Sequence, residues 1–86
     1  MDYSDRYRNL GMTISYYRKK RQITQMQLAD QINVSRTFIS NIEAPNMVTP
    51  ISLDTMFRIA DALHIEPFLL LIQPESLKEV QKWTIE

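Results

Sequence analysis

Cysteine is absent from the 86 residues, and glycine and histidine each occur once. Without cysteine there are no disulfides, thiolate metal sites or thiol nucleophiles. A single histidine cannot supply the paired ligands of a metal site, so His64 reads as a loop residue and no metal is expected. One glycine and four prolines leave little material for hairpins, which favours helices with short connections. No apolar run approaches the ~18 residues a membrane span requires, and no signal-peptide pattern opens the chain, so a cytoplasmic location is expected. Asp54 and Asp61 fall on one helical face, but no nucleophile, metal motif or glycine loop accompanies them. They read as solvated charges, and neither enzymatic activity nor a cofactor is expected.

The material present is that of an ordinary globular protein, 44% hydrophobic and 23% charged, enough for one modest core. The net charge is zero, but it is unevenly distributed. Residues 1–43 carry seven basic against four acidic side chains, and residues 44–86 carry three against six. A net of +3 in one half and −3 in the other suits a molecule with one phosphate-facing side, and also suits chance clustering on solvated helices.

Residues 1–9 are polar apart from Tyr3 and Tyr7 and form either an arm or the first turns of helix 1. Leu10, Ile14 and Tyr17 continue a helical stripe to about Arg21. Residues 22–24 form a turn, and Thr24 is a suitable N-cap for a second helix from Gln25 to about Ile32. A third helix is expected from about Arg36 to Ala44, followed by a loop over 44–50. Ser52 caps a fourth, in which Leu53, Met56, Phe57, Ala60 and Leu63 repeat at helical spacing. Pro67 suits the first position of a fifth helix, whose run Phe68 to Ile72 is apolar on every side and needs burial or a partner. The tail, residues 73–86, has a weaker amphipathic pattern through Leu77, Val80 and Trp83 and reads as a dimerisation or packing helix.

The stretch from Gln25 to Glu43 carries the most information. Leu28, Ile32, Val34, Ile39 and Ile42 form the inward set of two helices crossing steeply, with Ala29 at their closest approach. Asn33 occupies the turn between them, where positive φ must be tolerated, and Ser35 can cap the helix that follows. That helix presents Arg36, Thr37, Ser40 and Asn41 outward. Arg36 can pair with guanine O6 and N7 or grip a phosphate, Asn41 can pair with adenine or reach only the backbone, and Thr37 offers a methyl to thymine. Ser40 shares the face of Arg36, where its small side chain permits close approach. Thr24 and Gln25, at a helix N-terminus, suit a phosphate. Lys19, Arg21, Ser35 and Asn46 complete the expected backbone contacts.

These residues resemble the helix-turn-helix family of phage repressors and Cro proteins, the XRE-like regulators. The likeness spans residues 10–72: Leu10-Gly11, Ile14 and Arg18 at the family's spacing, then Thr24-Gln25-Met26-Gln27-Leu28-Ala29. Val34 through Glu43 match the third block, and Pro50, Leu53, Ala60, Leu63 and Leu70 fit the remainder. The resemblance implies an all-α fold of five helices with a short C-terminal helical tail. It also implies an ion pair between Arg18 and Glu43 that fixes helix 3 against helix 1. Gln22 and Pro45 stand where relatives often have glycine, and the 45–49 loop lacks their basic residue, so a shallow salt dependence is expected.

The resulting expectation is a sequence-specific DNA-binding regulator, a repressor acting as a homodimer on a pseudo-palindromic operator, with Phe68, Leu69, Leu71, Ile72 and Trp83 as interface candidates. Three alternatives remain: an antitoxin with a toxin partner, a restriction-modification controller, and a protein-interaction module that ignores DNA.

Overall fold

The computed structural model of the protein describes residues 2–74. The tail positions Leu77, Val80 and Trp83, and the tail helix proposed for them, lie outside the described residues. Among the described residues, four α-helices and a 3-10 helix follow one another: α1 (Ser4–Lys20), α2 (Gln25–Ile32), α3 (Arg36–Glu43), α4 (Leu53–Leu63) and η1 (Pro67–Leu71). The fold is all-α as expected, with no strand among the described residues, but the fifth element is a 3-10 turn rather than an α-helix. Pro67 opens it as anticipated.

Helix α1 begins at Ser4, so most of the polar opening segment belongs to helix 1. Its start is held by Asp2, whose carboxylate accepts from the Ser4 hydroxyl at 2.6 Å and the Ser4 amide at 2.9 Å. Those two hydrogen bonds, the hydroxyl's first, hold the Asp2 pKa below the ordinary carboxylate value.

The next three helices start on hydroxyl caps. Thr24 accepts from the Gln27 amide while the Gln27 side chain accepts from the Thr24 amide, a complete capping box. Ser35 accepts from Phe38 N–H, and Ser52 from Thr55 N–H. Left-handed residues end helices: Asn33 (φ 61°) after α2 and His64 (φ 57°) after α4. In both, the following amide returns to the last turn, Val34 to the Ala29 carbonyl and Ile65 to that of Ala60. Gln22 (φ 59°) makes the same left-handed exit from α1 without being asparagine or glycine.

Arginines connect these ends across the fold. Arg21 donates from Nε to the Leu63 carbonyl (2.8 Å) and from Nη2 to that of His64 (3.0 Å). Arg58 donates to the Ile32 carbonyl at 2.9 Å. Each cation thus meets the negative end of another helix and satisfies a carbonyl with no partner inside that helix.

The core gathers Ile14 from α1, Leu28 from α2, Ile39 from α3, Ile59 and Leu63 from α4 and Leu70 from η1, all essentially inaccessible. Helix α4 corrects the expected pattern. Its inward face is Thr55, Met56, Ile59, Ala60 and Leu63, whereas Leu53 and Phe57 remain 66% and 45% exposed. Both stripes have helical spacing, and the position of α2 beside Arg58 selects the one that faces inward.

Candidate nucleic-acid interface

Helix α3 is fixed at both ends and open along one side. At its start, the Asn33 turn and the Ser35 cap set its direction against α2. At its end, Glu43 is gripped by Arg18 through two parallel hydrogen bonds, Nε to Oε2 at 2.7 Å and Nη2 to Oε1 at 2.8 Å. Both side chains are nearly buried, 10% and 5% exposed. Arg18 also donates to the Ile23 carbonyl, so the residue entering α2 is part of the same junction. The expected ion pair is present, and it ties α1 to the last turn of α3.

Its third member was not anticipated. Gln25 was expected to meet a phosphate, but its amide nitrogen donates to Glu43 Oε1 at 3.1 Å. The first residue of α2 and the last of α3 are therefore joined through one carboxylate. The Gln25 backbone N–H is unaffected, and with that of Met26 it precedes the first intrahelical hydrogen bond of α2. The corresponding N–H groups of Arg36 and Thr37 open α3.

The four expected reading residues lie on the outer side of α3. Arg36 and Thr37 are exposed, and Ser40 and Asn41 are half-buried one turn further on. Ile39 and Ile42 occupy the opposite side, in the core. Phe38 packs at the edge of that core. The Asn41 carbonyl accepts from the Thr49 hydroxyl at 3.2 Å, which attaches the following loop to the helix. Asn46, in that loop, is exposed.

The expected backbone contacts divide. Lys19 is exposed at the end of α1. The Thr24 and Ser35 oxygens accept helix-capping bonds, which leaves each hydroxyl proton free to donate to a phosphate. Arg21 does not belong with them: its guanidinium rests on the carbonyls ending α4. Nothing within the sequence near Arg21 points to an acceptor 42 residues away. The Thr24 cap, by contrast, was read locally, and the Thr-x-x-Gln spacing to Gln27 is the signal that would have completed it as a capping box.

Among the described residues there is no group of three or more potential metal ligands, and no helix is long and apolar enough to cross a membrane.

The geometry agrees with comparisons to known proteins. The chain is 36% identical over 72 residues to the immunity repressor protein of Bacillus phage phi105, a match covering 84% of this chain. It spans about half, 49%, of that relative's length. A hypothetical transcription factor from Neisseria, NHTF, shares the fold with a TM-score of 0.79 at 25% identity, over 93% of this chain and 90% of that one. The restriction-modification controller protein C.AhdI from Aeromonas hydrophila aligns with a TM-score of 0.69 at 25% identity, over 74% and 94% of the two chains. The helix-turn-helix family model matches residues 14–70, which include α2, α3 and the Arg18–Glu43 junction. On sequence, architecture and motif together, the chain belongs to the helix-turn-helix family.

Proposed function

We propose that the protein is a sequence-specific DNA-binding transcriptional regulator, a repressor that places the outer side of α3 in the major groove. The observation that carries this reading is the pairing of an exposed Arg36–Thr37 face with the buried carboxylate that locks the helix behind it. In this reading Arg36 pairs with guanine, with Thr37, Ser40 and Asn41 on the same outer side of the helix. Lys19 and the N–H groups opening α2 and α3 are the backbone contacts. The similarity to a phage immunity repressor supports repression. The protein binds rather than catalyses, and works in the cytoplasm.

A domain of this size reads few base pairs alone. A homodimer placing two α3 helices in successive major grooves, one helical turn of ~34–36 Å apart, would read a pseudo-palindrome. The apolar exposed side chains Phe68 and Leu71 on η1 support this assembly. Leu69 packs against the core and Ile72 is half-buried, which reduces their part in it.

Selection of bound sequences from random duplex DNA tests both statements. A recovered inverted repeat supports them, and failure to retain any DNA at low salt overturns DNA binding. The likeness to a restriction-modification controller favours a second reading as such a controller. Its mark would be a selected sequence lying beside restriction and modification genes.

A further inference from the structure

We propose that the Gln25 side chain is a positioning residue for DNA reading. Held on Glu43, it fixes the angle between α2 and α3 and keeps the outer side of α3 in register with the start of α2. The inference rests on the DNA-binding reading and assigns this side chain a role in specificity, with no phosphate contact of its own.

Helices α2 and α3 meet at the Asn33 turn, so Gln25 and Glu43 are their far ends. Each helix has eight residues and is ~12 Å long, and the pair forms two sides of a triangle. The hydrogen bond from Gln25 Nε2 to Glu43 Oε1, 3.1 Å, closes the third side. Burial of Leu28, Ala29, Ile32 and Ile39 holds the two helices together but is non-directional. A hydrogen bond at their far ends acts with the whole helix as its lever. The Arg18 pair ties α3 to α1. Among the described residues, Gln25 to Glu43 is the only side-chain hydrogen bond from α2 to α3.

The chemistry suits a held side chain. A carboxylate only accepts, so the nitrogen of the Gln25 amide must face Glu43. Glu43 is 5% exposed and already receives two bonds from Arg18, which fix where its oxygens lie. A hydrogen bond to such a charged acceptor is stronger than one between neutral groups. The backbone N–H groups of Gln25 and Met26 stay open to a phosphate, beside the side chain that holds α3. Backbone anchoring and base reading thus share one fixed point.

Binding of the full chain to a selected and to a scrambled duplex tests the proposal through the ratio of the two affinities. Gln25→Met keeps the length of the side chain but cannot donate. It should lower the ratio by about tenfold, the size of one hydrogen bond to a charged group. A side chain that only touched phosphate would weaken both duplexes equally. An unchanged ratio therefore overturns the positioning role and leaves DNA binding standing. A wild type that binds neither duplex at low salt overturns both.

Gln25→Glu adds a readout that lost packing alone would not move. Protonated, the introduced carboxyl donates to Glu43 as the amide does; ionised, it repels Glu43. Glu43 favours its protonated form and Arg18 opposes it. The ratio, taken relative to wild type at the same pH, should therefore recover as pH is lowered from ~8 to ~5. Circular dichroism at each pH establishes that the variant is folded. A relative ratio that does not change with pH also overturns the proposal.

Discussion

Gly11 lies directly against the backbone of Ile42: a Cβ built at position 11 would overlap the Ile42 carbonyl oxygen. The obstacle is main chain, which cannot rotate aside as a side chain can. Gly11→Ala should therefore push α1 away from α3 and cost about 3 kcal/mol or more. Urea unfolding measures the loss. Any DNA binding that persists should be weaker than stability alone explains, because the Arg18–Glu43 junction spans the same interface.

Glu43 is held by Arg18 and Gln25 together. Glu43→Ala should destabilise by about 3–5 kcal/mol, since it leaves the buried Arg18 guanidinium without a counter-charge. Adding Arg18→Met should recover part of that loss, because the double variant buries no charge. A double-mutant cycle in urea gives the coupling, and simple additivity would show the pair to be independent.

Among the described residues, the Tyr17 hydroxyl is the only buried side-chain polar atom without a hydrogen-bond partner. Burial, followed by the neighbouring Tyr16, raises its pKa from the ordinary value of 10.0. The folded state thus holds this proton more tightly than the unfolded chain. Its contribution is fully present below pH ~10 and is lost as pH rises through the folded pKa. Tyr17→Phe should remove that alkaline slope and, by deleting an unsatisfied hydroxyl, stabilise the neutral-pH protein by about 1 kcal/mol. Thermal melts at pH 7 and across the alkaline range check both effects. A lower melting temperature for the variant at pH 7 would reveal a hydroxyl that has a partner.

Gln22 and His64 occupy left-handed backbone that glycine adopts without steric cost. Glycine at either position should stabilise by about 0.5–1 kcal/mol after its greater unfolded-state entropy is deducted. Asn33→Gly should gain less, because asparagine already tolerates the conformation. Comparing the three melting temperatures tests this order.

Arg36 and Arg21 separate reading from holding. Arg36→Ala should leave the melting temperature nearly unchanged and weaken specific DNA binding by ~1–3 kcal/mol, with relaxed preference at one base pair. Arg21→Ala should lower the melting temperature by removing two bonds to the end of α4, with little change in base preference. Titrations against selected and scrambled duplexes distinguish the two.

The turn between α2 and α3 was legible because its determinants are local: Asn33 for the left-handed turn, Ser35 for the cap, and apolar spacing on either side. The Arg18–Glu43 pair was legible only through family likeness, since 25 residues separate its members. Elsewhere, tertiary packing decided what periodicity left open. Leu53 and Phe57 share helical spacing with the true inward face of α4, but α2 sits on the other flank. The arginine bonds to distant carbonyls have no sequence signature at all, and one of them removed Arg21 from the expected phosphate contacts. The beginning of α1 was ambiguous because its first two turns bury so little.

The fixing of α3 at both ends also limits how the protein can adapt to a ligand. Its first turn is set by the Asn33–Ser35 geometry, its last by the Arg18–Glu43–Gln25 junction, and its Asn41 carbonyl by Thr49. A recognition helix held in this way has little freedom to tilt or slide toward an imperfect site. Under the proposed function, the duplex must make the adjustment. Base pairs that no side chain touches would then influence affinity through how readily they bend or narrow a groove.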